Sequence, residues 1–202
     1  GAHRPGRHHR RRRGRAGARH RHAARVGGRT DLPLSTSGRT QAQSLARQFA
    51  GTPFATARSG PLKRTRETAA AILAAQPIAP ELLTDLFLRE IDYGPDENRP
   101  EEEVVARIGK AAMDAWEHDG VVPPGWRADT AAVIGNWQEL FHDLRNEPGN
   151  HLVVTSNGIA RFALNAANAQ RSDAKLATAA WGVIVVEAGE ARVEAWNLRA
   201  PT

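Results

Sequence analysis

The sequence predicts a three-layer α/β/α sandwich with a mostly parallel central sheet. Three observations predict it. After residue 26, segments with strand patterning alternate with segments whose apolar residues recur at helical spacing. The compact apolar run His151–Thr155 leads directly into a helical pattern, the order expected of a buried parallel unit. With 41% apolar residues, a chain of 202 is long enough for one sizeable core and cramped for two.

The elements follow in order. After the turn-rich Ser35-Thr36-Ser37-Gly38, residues Ala42, Leu45, Ala46 and Phe49 mark a first helix. Phe54–Ser59 reads as a short strand. Leu62, Thr65, Ala69, Ile72 and Leu73 form one face of a second helix, and Leu82–Leu88 reads as extended. A third helix carries Val104, Val105, Ile108, Ala112 and Trp116, and ends before the breaker Val121-Val122-Pro123-Pro124-Gly125. Val133, Trp137, Leu140, Phe141 and Leu144 give a fourth. Behind the strand His151–Thr155, Ile159, Phe162, Ala163 and Ala166 give another helix. Val183–Val186 and Arg192–Trp196 close the chain as a hairpin around Gly189.

The net charge of +6 comes from two unlike segments. The first thirty residues hold 11 of the 28 Lys and Arg side chains, five of the eight histidines and none of the 22 acidic residues, which leaves the remainder at −5. The pI of 10.8 therefore says little about what the domain binds. Residues 1–25 contain only Gly, Ala, His, Arg and Pro, with nothing apolar to anchor a core strand or helix. They read as a disordered Arg/His-rich arm, or as a misread one, since all five residue types have G/C-dominated codons and a GC-rich gene out of frame looks like this. A nucleic-acid arm is the third reading, because clustered Arg would neutralise phosphates. The arm has no aromatic residue to stack on bases, so nucleic acid is not the partner expected. Residues 26–202 form the domain.

With no cysteine, disulfides, thiolate metal sites and a cysteine nucleophile are excluded. A reducing cytosol fits that composition, and a cytoplasmic location is expected. No apolar run is long enough to cross a bilayer or to serve as a signal peptide, so no membrane partner is expected.

In open α/β sheets chemistry gathers at the carboxyl ends of the strands. That rule points to three places. Ser59-Gly60-Pro61-Leu62-Lys63-Arg64 runs from a strand into a helix, where free amides would favour an anion and Arg64 presents a planar fork of donors to a phosphate. A solvated basic helix face is the plainer reading. Leu88–Gly94 carries the carboxylates Glu90 and Asp92, one of them placed as a general acid, or else an ion-paired loop edge. Val153–Gly158 turns from a buried strand into a helix, with Ser156 and Asn157 as donors at the turn or as a simple helix cap.

Taken together, these segments resemble the histidine phosphatase (phosphoglycerate mutase-like) superfamily. Gly28-Arg29-Thr30-Asp31-Leu32-Pro33-Leu34-Ser35, then Gly38 and Gln41-Ala42, is similar to its G-R-x-D-x-P-L-T/S…G…Q-A stretch. Ser59–Arg64, continuing to Glu67-Thr68-Ala69, resembles its S-x-P-L-x-R-x-x-x-T-A helix start. Leu88–Gly94 resembles the loop that supplies the acid, and His151–Ala163 the late strand-turn-helix V-V-x-H-G-x-x-I/A-R. The resemblance runs from about Val26 to the C-terminus.

The resemblance implies hydrolysis of a small phosphomonoester through a phosphohistidine, with neither cofactor nor metal. In that family an Arg-His-Gly tract ends the first strand and its His attacks phosphorus, while guanidinium groups and a second His hold the phosphoryl oxygens. Carried onto this chain, Arg64 is a phosphate clamp, Glu90 the general acid, and Ser156 stands where the second His belongs. Arg29, Asn157 and Tyr93 are expected at the substrate, with Trp126 lining its pocket. His20 is the candidate nucleophile, with Arg19 before it and His22 as an alternative. Two departures bear on activity. Ser156 supplies a hydroxyl but no positive charge, and Arg21 follows His20 where Gly belongs, with no apolar strand ahead of it. The expected activity is impaired accordingly. The competing expectation is an inactive pseudophosphatase, or a binding module working through its basic arm.

Overall fold

The computed structural model describes residues 11–15, 29, 31–169 and 174–201, the first five by backbone alone. Among them, the strands β1 (Arg11–Arg15), β2 (Phe54–Ser59), β3 (Leu82–Thr84), β4 (Asn150–Val154), β5 (Ala180–Glu187) and β6 (Glu190–Arg199) form one sheet. Its order is β3-β2-β4-β1-β5-β6. Strands β3, β2, β4 and β1 run parallel, and β5 and β6 are antiparallel additions at one side. The sandwich expected from the alternation of elements is the fold observed.

Strand alternation builds the two faces. On β4, Leu152 and Val154 point to one side and Val153 to the other; on β5, Val183 and Val185 oppose Ile184 and Val186. One face packs against helices α1 (Thr36–Phe49) and α2 (Lys63–Ala74) through Leu45, Phe49, Ala69 and Ile72. The other packs against α3 (Glu101–Ile108), α4 (Lys110–Asp119), α5 (Thr130–Leu144) and the short α6 (Asn157–Ala160) and α7 (Phe162–Ala166). On the first face Phe49 sits edge-on to Phe54 and Trp181, with ring centroids 6.1 and 5.1 Å apart. The buried His151 is satisfied at the far end of β4. Its Nε2–H donates to the Glu147 carbonyl (2.9 Å), which leaves Nδ1 to accept from the Thr56 hydroxyl (2.7 Å).

Four expectations are corrected. The arm does hold a core strand: β1 fills the slot between β4 and β5, pairing Arg13 with both Leu152 and Val183. Main-chain pairing is open to any non-proline residue, whereas composition registers only side chains. The extended reading of Leu82–Leu88 holds only to Thr84, because Asp85 caps a 3-10 turn over Leu86–Leu88. The third helix is two, since Gly109 at φ 87° ends α3 and reorients the chain into α4. The helix behind β4 is likewise two short helices joined at Arg161.

Phe49→Ala is expected to cost about 3–5 kcal/mol, the usual range for emptying a buried aromatic site. Denaturant titration followed by circular dichroism measures it; a loss below about 1 kcal/mol would show that this ring cluster is not part of the core's packing.

Candidate active site

The site forms where three chain segments meet at the carboxyl ends of β2 and β4. Gly60, just past β2, donates its N–H to the Val154 carbonyl at 3.0 Å. Thr155, just past β4, donates its hydroxyl to the Leu88 carbonyl at 2.7 Å. That carbonyl lies 2.7 Å from where a side chain on Gly60 would begin, so the β2 end can approach only as glycine. The corner therefore gathers Arg64 in the first turn of α2, Glu90 two residues beyond Leu88, and Ser156 directly after Thr155.

Glu90 is 5% exposed, and its Oε1 accepts from the Ile91 N–H at 3.0 Å. It packs against Gly158 so closely that a Cβ there would overlap Oε1 and lie 2.8 Å from the Tyr93 hydroxyl. Ser156 is buried, its backbone carbonyl accepts from Ile159 and Ala160, and its Oγ has no hydrogen-bond partner among the described residues. The side chain is thus not the helix cap that its residue type suggests. An unsatisfied buried hydroxyl costs about 1–3 kcal/mol, and a phosphoryl oxygen is an acceptor that would satisfy it.

The residues of the Gly28–Ser35 motif serve mainly to hold this corner together. Asp31 Oδ1 accepts from the Lys63 N–H at 2.7 Å, and Glu67 Oε2 accepts from the Leu34 N–H at 2.8 Å. The anion at the start of α2 is therefore Asp31 itself, where free amides were expected. Arg29 donates its Nε to the Glu90 carbonyl at 3.2 Å and its N–H to Glu97. Sequence reasoning missed Asp31, Glu67 and Thr155 as fastenings, although the first two stand inside the motifs that carried the resemblance.

Beside the corner, the Asp92–Arg127 backbone bridge pairs two loops. Trp126 and Tyr93 cross edge to face with centroids 4.7 Å apart. Trp126 Nε1 and Arg107 Nε each donate to the buried Asp96 carboxylate at 2.7 Å. Burial alone would raise the pKa of Asp96, but the hydrogen bonds from Arg107 and Trp126 and the Arg107 charge outweigh it, and the pKa lies below the ordinary 3.8. A lowered carboxylate contributes stability that is present above its unfolded pKa and lost as pH falls through the folded one, so this clamp is intact at neutral pH.

Of the residues expected at the site, Arg64, Glu90, Ser156, Arg29, Tyr93 and Asn157 lie on the segments that meet here. Asn157 Oδ1 is taken by the Leu176 N–H at 3.0 Å, which fastens the segment following residue 174 to the turn. Arg19, His20 and His22 lie outside the described residues.

A family model described as the histidine phosphatase superfamily (branch 1) matches residues 14–199. The chain belongs to this superfamily. Among curated proteins it is 30% identical over 142 residues to the 2,3-bisphosphoglycerate-dependent phosphoglycerate mutase 2 of Gloeobacter violaceus. That match covers 66% of this chain and 63% of the relative, less than two thirds of the relative's length. Solved structures share the fold. A mycobacterial glucosyl-3-phosphoglycerate phosphatase matches with TM-score 0.75 and 21% identity over 95% of this chain and 100% of its own. A putative α-ribazole-5′-P phosphatase of Escherichia coli matches with TM-score 0.72 and 19% identity over 96% and 98%. YhfR of Bacillus stearothermophilus matches with TM-score 0.73 and 20% identity over 93% and 96%. The fold is thus that of the histidine phosphatases. Among the described residues, no helix is long and apolar enough to cross a membrane.

Gly158→Ala is expected to displace Glu90 and lower turnover of an aryl phosphate by about tenfold or more, the scale of a misplaced acid group, while the fold persists. Unchanged turnover in a folded variant would show that Glu90's present position does not matter to the chemistry.

Proposed function

We propose that this chain is a phosphomonoester hydrolase acting on a small phosphorylated substrate through a phosphohistidine. The observation that carries the reading is the buried Ser156 hydroxyl, without a hydrogen-bond partner among the described residues and set in one corner with Glu90 and the first turn of α2 that bears Arg64. In the first step an imidazole nitrogen bonds to phosphorus as the bond to the leaving oxygen breaks, and Glu90 gives its proton to that oxygen. In the second, water attacks phosphorus, Glu90 takes back a proton, and the histidine is released with inorganic phosphate. Arg64 and Ser156 hold the phosphoryl oxygens, Arg64 with charge and Ser156 with a hydroxyl donor. Fixed donors suffice for such a transfer, because the transition state mainly needs positioning and charge around the equatorial oxygens.

His20 is the proposed nucleophile, and the position of β1 weighs on it. The strand ends at Arg15, opposite the β4 residues that lead to Ser156. The next two residues in sequence are Ala16 and Gly17, and His20 stands five residues beyond the strand. This observation favours a second reading, a pseudophosphatase that binds phosphate and does not turn it over. Both readings share the corner; they differ in the N-terminal imidazole.

Turnover of p-nitrophenyl phosphate separates them. The hydrolase reading expects measurable turnover, reduced by about a hundredfold or more in both Glu90→Ala and Arg64→Ala, with an acid-labile phosphoenzyme that His20→Ala removes. A folded chain that binds inorganic phosphate without turnover would establish the binding-only reading instead.

A further inference from the structure

The two edges of the sheet are built differently. At β6, Glu190, Arg192 and Glu194 stand exposed along the strand, and the pairing with β5 is irregular over Trp181–Ile184. Charges and irregularities of this kind keep an edge from pairing with another chain. At the opposite edge, β3 pairs regularly with β2 and carries no charge between Glu81 and Asp85. Its middle residue, Leu83, is 49% exposed; Ile78 before it and Leu86 after it are 87% and 77% exposed. Three of the six exposed large apolar side chains among the described residues thus gather at this one edge, which marks an interaction surface.

We propose that β3 pairs antiparallel with β3 of a second copy of this chain, joining two sheets into one across a two-fold axis at Leu83. The backbone sets that register. The Asp85 N–H donates inward to the Ser59 carbonyl at 2.9 Å. Backbone groups alternate along a strand, so Leu83 also points inward, and the N–H and C=O of Leu82 and Thr84 point out. Centring the pair on Leu83 sets each Leu82 against the partner's Thr84, and every outward group of both strands finds a donor or acceptor. No other symmetric register uses both residues of each strand.

The side chains fit the same register. Leu82 packs inward beneath α1 and α2, so Leu83 lies on the opposite face, where it meets its own copy across the axis. Leu86 comes opposite the partner's Pro80, with the partner's Ile78 beside it, so apolar surface beyond the strand is covered too. Glu81 has no ion pair among the described residues, and it comes opposite the partner's Asp85. Arg58, aligned with Leu83 on β2, already pairs with Asp85 at 3.7 Å and stands on the same face as both carboxylates. A second copy therefore supplies apolar surface, strand edge and charge in one placement, as a self-complementary two-fold contact must.

Sedimentation equilibrium of the full chain across micromolar concentrations tests this. The expected mass is twice the 21.9 kDa of one chain. Leu83→Lys sets two like charges face to face at the axis, and Thr84→Pro removes an outward N–H while sparing the inward ladder. Each is expected to weaken the dimer by about tenfold or more, with an unchanged circular dichroism spectrum. Because the chain has no cysteine, Leu83→Cys gives an independent reading. Non-hydrogen-bonded antiparallel pairs hold their Cα atoms about 4.5 Å apart, within disulfide range. Mild oxidation is expected to link most of this variant into dimers and to leave Leu198→Cys, on the β6 edge, unlinked. A chain that stays monomeric throughout leaves the edge to a partner of another kind and overturns the proposal. So does a dimer that neither substitution weakens, or Leu198→Cys linking as fast as Leu83→Cys.

Discussion

The carbonyl oxygen of Leu88 is where the molecule's two halves are tied. Thr155, leaving β4, donates a buried hydroxyl to it, and Gly60, leaving β2, has no side chain to hold the two apart. A buried hydrogen bond of this kind contributes only about 1 kcal/mol, but its geometry does more than its energy. Adjacent parallel strands end in loops that would otherwise diverge toward their own helices. Here the loops are drawn together before they separate, so the residues that follow each contact emerge side by side. Glu90, Ser156 and the first turn of α2 owe their proximity to that one point.

Around that point the chain is fastened from outside. Asp31 and Glu67 bind the incoming Asp31–Ser35 segment to α2 by two reciprocal contacts, one carboxylate from each partner accepting a backbone N–H from the other. Asp96 does the same work on the far side, collecting Trp126 and Arg107 so that the 92–96 loop is tied to the 123–127 loop. The site is fastened on both flanks by charged groups that accept from backbone and indole N–H donors. This arrangement keeps carboxylates near a proposed anion site without leaving them uncompensated.

The helices were legible because each buries one stripe. Every apolar position assigned to α1 and α2 from spacing is buried in the fold. The breaks were not legible, since Gly109 and Arg161 interrupt patterns whose apolar residues keep helical spacing on either side. Among the candidate site residues, Arg64, Glu90 and Ser156 were weak signals singly at strand ends, and only the order of motifs resembling the family gave them roles. Asp31 and Thr155 did not stand out, because their partners are backbone groups brought near by tertiary folding, which no side-chain pattern encodes. The hardest element was β1. A strand between two others in a sheet covered on both faces calls for an apolar run, and the sequence there is four arginines and a glycine. Composition therefore argued against the strand, while the slot between β4 and β5 and the start of the family match at residue 14 both argue for it.

The corner between β2, β4 and the Leu88–Glu90 loop is the proposed seat of the phosphoryl group. A crystal structure of the chain with orthovanadate, which mimics the five-coordinate state of a transferring phosphoryl group, tests this most directly. Vanadate is expected at the corner, with oxygens in hydrogen-bond reach of the Arg64 guanidinium and Ser156 Oγ and with the Glu90 carboxyl beside the apical oxygen that stands for the leaving group. Vanadate bound elsewhere, or at the corner with Ser156 Oγ still unpartnered, would contradict it.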